Sequence, residues 1–287
     1  MTNKFITRTS LLWTLILTLF GTSALHAFPP APNFTIYGIV RDQVGVRIPS
    51  NGTASIVLLK QGIKIGQALI TNGFIDYNYE LQIRVDANRP GTEPYKASAY
   101  LADEQLALAV ELNGQLFYPI EVSGDLSVGQ GGERLRLDLN LGEDKDGDGI
   151  PDTWEEWQLY QSGQLPNNLG QWDLTQISAD GDFDKDGQLD WAEYIAGTFA
   201  GDHTDVFYLK INEFDGSSSH FEFYQITGKV YVLEQSYDLV TWTQVPFSVG
   251  SAAAVDHHSA SAVGVVSAQV SSSSSSSRST LFRLTVR

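Results

Sequence analysis

Cysteine is absent from the 287 residues and methionine occurs once. The missing thiols exclude disulfides, thiolate metal sites, a cysteine nucleophile and a lipidated cysteine anchor. Bases are scarce too: 18 lysines and arginines face 34 acids, for a net charge of −16. With so few cations and no basic stripe, the chain lacks the electrostatic footprint of a nucleic-acid binder. Long apolar runs are also missing. The one candidate, Leu11–Phe20, is far shorter than the roughly twenty residues needed to cross a bilayer. Preceded by Lys4 and Arg8 and followed by Ala24-Leu-His-Ala27, it reads as a secretory signal peptide cleaved after Ala27. A secreted protein with no transmembrane segment in the mature chain is therefore expected.

Catalytic patterns are equally scarce, with no nucleophile elbow, zinc-binding helix or phosphate loop. The histidines beyond the signal segment, His203, His220, His257 and His258, have no ligand spacing. The chain does not read as an enzyme.

What is present is a concentration of acid. Residues 143–203 hold 15 Asp or Glu against only Lys145 and Lys185, so 13 of the 16 net negative charges fall there. The acids are patterned. Asp144, Asp146, Asp148, Asp152 and Glu155 occupy positions 1, 3, 5, 9 and 12 of one stretch, and Asp182, Asp184, Asp186, Asp190 and Glu193 repeat the spacing. Calcium is a hard cation that takes six to eight oxygens. Carboxylates at alternating positions, a backbone carbonyl at position 7 and a two-oxygen glutamate at position 12 suit it. Ile150 and Gln188 supply the carbonyls in this reading. Gly149 and Gly187 stand at position 6, where the chain turns sharply and a missing Cβ is an advantage. Two bound Ca2+ ions are expected.

The flanks read as strands. Candidates before the acidic segment are Phe34–Val40, Ala54–Leu59, Lys64–Ile70, Tyr77–Val85, Lys96–Leu101, Leu106–Leu112, Gln115–Val122 and Arg134–Leu141. Asn113-Gly114 suits a type I′ hairpin turn. Leu135, Leu137, Leu139 and Leu141 alternate with polar residues, giving one buried face, and this strand runs directly into the first loop. Spacing of this kind predicts a sandwich of two antiparallel sheets. Candidates after the segment are Val206–Ile211, His220–Gln225, Lys229–Gln235, Thr241–Val245, Ala262–Val270 and Thr280–Val286, forming a smaller sandwich, with the serines 271–277 in a surface loop. Between the flanks, Asp152 should cap a helix over 153–161 that buries Trp154, Trp157 and Tyr160. Glu155 is left two roles there, closing a capping box or binding the ion, of which the ion should prevail. A turn or short helix is expected within 167–177, and a second short helix over 190–196.

The expected fold is mainly β. It comprises a signal peptide (1–27), an N-terminal β-sandwich (28–142), a short α-helical EF-hand-like calcium segment (143–203) and a small C-terminal β-sandwich (204–287). A strand replaces the helix that precedes a full EF-hand, and Pro151 at position 8 cannot donate the hydrogen bond that paired hands exchange. Static bracing is expected rather than switching. As an alternative, Tyr231, Tyr237 and Trp242 could line a glycan or surface-protein site, or else belong to the core.

The runs Asp146-Gly-Asp-Gly-Ile-Pro-Asp-Thr-Trp-Glu155, Asp184-Lys-Asp-Gly187 with Glu193-Tyr-Ile-Ala-Gly-Thr198, and Tyr231-Val-Leu-Glu-Gln-Ser-Tyr-Asp-Leu-Val-Thr-Trp242 resemble a type of secreted bacterial protein. In it an acidic calcium segment lies between two β-sandwiches. The loops are also similar to thrombospondin type 3 repeats and to dockerin repeats. The resemblance implies calcium binding in a protein outside the cytoplasm whose role is otherwise unassigned; a structural role, with surface adhesion or matrix association, is the wider expectation. Thr153-Trp154 and Trp191-Ala192 stand where dockerins carry small polar residues that recognise cohesin, so cohesin docking is not expected.

Overall fold

In the computed structural model, the residues described are 31–71, 73–87, 96–122, 126–215, 217–271 and 280–287. The expected signal segment and all of the serine run except Ser271 lie outside them. The N-terminal strands are β1 (Phe34–Gly38), β2 (Val40–Arg41), β3 (Ser55–Lys60), β4 (Ile63–Leu69), β5 (Tyr79–Ile83), β6 (Ala107–Leu112), β7 (Gln115–Phe117), β8 (Arg134–Arg136) and β9 (Leu139–Asn140). One sheet runs β5-β1-β8 and another β4-β3-β6-β7. Phe34, Ile36, Leu81 and Ile83 from the first and Ile56, Leu58, Leu108 and Val110 from the second share a single buried cluster. The two sheets therefore close over one core, as period-2 patterning demands. Asn113 and Gly114 both have positive φ, +50° and +82°, and join β6 to β7 as the hairpin signal predicted.

Several expectations change. β1 pairs with β8, and β2 with β9, in parallel rather than antiparallel register. Alternation specifies which face is buried, not the direction of the partner strand. The strand expected over 134–141 is broken in two where Gly38 presses against it; a Cβ on Gly38 would overlap the Leu137 carbonyl. Leu135 is exposed, whereas Asn140, expected on the wet face, is buried and bonded to Glu121 (Asn140 N–H to Oε2 2.9 Å, Nδ2 to Oε1 2.6 Å). Glu121 reaches it from a 3-10 turn, Ile120–Val122, that follows Pro119 in place of the expected strand. Lys96–Leu101 contributes only a bridge from Tyr100 to Val85.

Beyond the acidic segment lie β10 (Lys210–Phe214), β11 (Ser218–Gln225), β12 (Val230–Ser236), β13 (Thr243–Gln244), β14 (Ser248–Val249), β15 (His258–Ser259), β16 (Gly264–Ser271) and β17 (Leu281–Val286). β10, β11, β16 and β14 form one sheet; β12 pairs with β13, β15 and β17 in another. Phe221, Phe223 and Ala268 meet Tyr231 and Leu233 in the core between them. The residues from Val206 to Leu209 precede β10 instead of forming a strand. The fold is mainly β, and 32–287 form one compact unit. No helix among the described residues is long and apolar enough to cross a membrane.

Candidate metal centre

The two twelve-residue loops fold onto the same hydrogen-bond skeleton. The position 1 carboxylate accepts the N–H groups of positions 4 and 6: Asp144 from Gly147 and Gly149 (2.7 and 3.0 Å), Asp182 from Lys185 and Gly187 (2.8 and 3.0 Å). The position 5 carboxylate accepts the N–H of position 7, Asp148 from Ile150 and Asp186 from Gln188, each at 2.7 Å. The N–H of position 9 donates to the carbonyl just ahead of the loop, Asp152 to Glu143 and Asp190 to Gly181. Positions 4 and 6 are left-handed in both loops: Gly147 and Lys185 have φ of +81° and +66°, Gly149 and Gly187 +97° and +98°. Glycine at position 6 has a structural cause in both copies.

This winding gathers Asp144, Asp146 and Asp148 so that one oxygen from each lies within 4.8 Å of the others, and it does the same for Asp182, Asp184 and Asp186. A short helix follows each loop, α1 (Asp152–Gln161) and α2 (Asp190–Ala196). Position 12 falls on the first turn of each, on the inner face. Glu155 and Glu193 are both fully buried. Neither oxygen of Glu155, and only one of Glu193, has a hydrogen-bond partner: Glu193 Oε1 lies 3.5 Å from Thr198 Oγ1, and its Oε2 is unmatched. Buried carboxylates in that condition are costly unless something neutralises them. Burial, reinforced by Asp146, Asp148, Asp152 and Asp144, pushes the Glu155 carboxyl up to about 9. Glu193 rises to about 8 through burial, then Asp184, Asp186 and Asp190. Asp146, Asp148 and Asp184 are raised as well, with burial the largest cause of each. Neighbouring carboxylates thus oppose one another's ionisation, and a divalent cation among them would reverse that.

Not every expected residue takes the expected place. Asp152 is not the helix N-cap; Pro151 is, without a side-chain cap, and no capping box forms. The Asp152 carboxylate instead accepts from the Lys145 backbone (2.7 Å) and the Lys145 ammonium (2.5 Å). Asp190 likewise turns to backbone, accepting from Phe183 (2.9 Å) and Ser178 (3.0 Å). Both position 9 acids brace their loops, and such residues commonly reach calcium through water. Trp154 is buried as expected, but Trp157 and Tyr160 are exposed at 44% and 60%. The inner face of α1 is taken by Asp152, Trp154, Glu155, Gln158 and Leu159. Aromatic spacing pointed the helix the wrong way because the loop needs Glu155 inside.

Contacts that the local pattern could not supply join the segment to its neighbours. Asp148 Oδ2 accepts the Ala179 N–H (2.7 Å), coupling the loops. Ile150, Trp154, Leu159, Leu174, Ile177, Tyr194 and Ala200 build a core between them. Leu174 and Ile177 belong to the expected short turn, which is 3-10 over Leu174–Gln176. The Tyr194 hydroxyl lies 3.1 Å from the carbonyl of Asp42, just after β2, and 3.4 Å from Oδ1 of Asn140 in β9. From the turn just before β12, the fully buried Lys229 reaches across to donate to the carbonyls of Gly45 (2.8 Å) and Tyr194 (3.3 Å). Burial, with Arg41 adding and Asp42 opposing, pulls its ammonium down to about 7. Gly45 has φ of +76°, and a Cβ there would stand 2.5 Å from the Tyr194 carbonyl, so the clasp also requires a glycine. Gln188 adds a second link by accepting the Phe207 N–H (3.2 Å).

Of the three aromatics of the alternative site, Tyr237 is exposed at 51%. Tyr231 is buried in the C-terminal core, and the half-buried Trp242 is covered by the Arg283 guanidinium 4.3 Å from its ring centroid. Comparison with family models, with curated proteins and with solved structures returned no match to this chain.

Proposed function

We propose that this is a secreted calcium-binding protein in which two calcium ions stiffen the acidic segment and, through it, the junction between two β domains. In this reading Asp144, Asp146, Asp148, the Ile150 carbonyl and Glu155 hold one ion. Asp182, Asp184, Asp186, the Gln188 carbonyl and Glu193 hold the other. Asp152 and Asp190 shape the loops. The observation that carries the reading is Glu155: fully buried, with neither oxygen partnered, and beside three clustered aspartates. A hard cation with six or more oxygen ligands relieves that arrangement directly.

The junction role is supported by Tyr194, which neighbours Glu193 on α2 and touches both the Asp42 carbonyl and the Lys229 ammonium. An ion that holds Glu193 thereby holds the residue on which both sets of sheets converge. Extracellular sites of this type bind at roughly 10⁻⁴–10⁻³ M. At calcium ten to a hundred times Kd, each site contributes about 1.4–2.7 kcal/mol to stability. Adhesion or matrix association is the wider role proposed.

The test is a calcium titration followed by calorimetry and tryptophan fluorescence, with magnesium as control. Trp154, Trp157, Trp172 and Trp191 all lie in the segment and report on it. No heat and no spectral change up to about 10 mM calcium, ten times the weaker affinity, would refute the reading.

A further inference from the structure

A groove of about 720 Å³ opens between the first calcium loop and residues 164–176. Lys145 and Asp146, positions 2 and 3 of the loop, form one wall, and Gln164, Trp172, Asp173 and Gln176 line the other. The ligand roles assigned above use none of these last four. We propose that the groove binds a neutral saccharide, and that it does so only when calcium holds loop 1. The inference rests on the calcium reading, because the loop is one of its two walls.

The chemistry of the lining selects the ligand class. Gln164 and Gln176 are held to each other (Nε2 to Oε1, 2.8 Å), and Asp173 accepts from the Thr175 hydroxyl at 2.7 Å. Their planar polar groups are thus set in place, and side-chain amides both give and accept hydrogen bonds. A sugar hydroxyl also does both. Trp172 packs partly against the core of the segment and partly lines the groove. An indole suits a ligand that has an apolar C–H face and a polar rim.

Anions fit poorly. Asp146, Asp173 and Glu156 line the groove, and its one ammonium, on Lys145, is already held by Asp152 and Glu143 at 2.5 and 3.1 Å. That argues for a neutral glycan over a phosphorylated, sulfated or uronic one. A peptide would want apolar anchor pits, whereas here Leu165 and Leu174 are the only aliphatic lining residues beside four amides and three carboxylates.

The test begins with the calcium titration, then screens the calcium-loaded protein on an array of neutral oligosaccharides and measures the best ligand by calorimetry. Retention of a neutral glycan is expected, together with its loss on chelation. The double variant Asp173→Ala/Gln176→Ala, at two exposed positions outside the ion sites, should weaken binding at least about tenfold while leaving the calcium heats unchanged. Trp172→Ala should do the same, with circular dichroism verifying its fold. Calcium heat without any retained glycan overturns the groove proposal alone. So does glycan binding indifferent to chelator or to the double variant, or a peptide library that yields the groove's only ligand. Absence of calcium heat overturns the reading on which it rests.

Discussion

Calcium binding to this protein should expel protons, and the number follows from Glu155 and Glu193. With no metal, burial and surrounding aspartates hold these carboxyls near about 9 and about 8. At pH 7 they are then roughly 99% and 90% protonated, so loading both sites should release about 1.9 protons per molecule. At pH 9 the same arithmetic leaves roughly 0.6. Ionising them at pH 7 weakens calcium binding by roughly a hundredfold at the first site and roughly tenfold at the second. Calcium affinity should therefore climb between pH 7 and 9, more steeply at the first site. The assay is calorimetry at each pH in two buffers of different ionisation enthalpy, the difference in heat giving protons released. Fewer than about half a proton at pH 7, or affinity flat between pH 7 and 9, would show that the glutamates are ionised before the ion arrives. The calcium-free protein gives an independent reading. Because both carboxyls are raised, its folded state holds protons that the unfolded chain has lost, so stability should fall as pH rises from about 4.5 toward 9.

Glu155→Gln and Glu193→Gln each imitate a protonated carboxyl, so thermal melts of the calcium-free protein at pH 7 should barely move. Each should remove one calcium heat and about half of the calcium-induced rise in melting temperature. Lys229→Met tests the clasp. The depressed ammonium makes wild-type stability rise with pH between about 7 and its ordinary value of 10.5, and calcium-saturated denaturant titrations of the variant should lack that rise. Chelation should speed proteolytic cleavage within residues 143–203, read by mass spectrometry of the fragments; equal rates with and without calcium would refute bracing.

Both acidic loops are legible in the residues because each is a contiguous twelve-residue unit. Its ligand positions, its left-handed glycines and the helix that follows are set by neighbours in the chain. The mainly β flanks were legible for a similar reason, since period-2 alternation is local, and Asn113-Gly114 turned where its backbone freedom indicated. Partner and direction were not local. The parallel pairing of β1 with β8 and β2 with β9 arises from segments about a hundred residues apart. Trp157 and Tyr160, spaced for one buried face of α1, stay exposed because the loop turns Glu155 inward. Asp152 and Asp190 stand at ligand positions in the sequence, and in the folded loops both carboxylates accept backbone N–H groups, that of Asp152 the Lys145 ammonium as well. The clasp of Lys229 on Gly45 and Tyr194 left no signal at all, for it spans 184 and 35 residues. The sequence by itself thus determined where carboxylates cluster. Only tertiary structure decided which carboxylates lie unpaired in the interior, and that Tyr194, beside the second position 12 glutamate, is where the two sets of sheets meet.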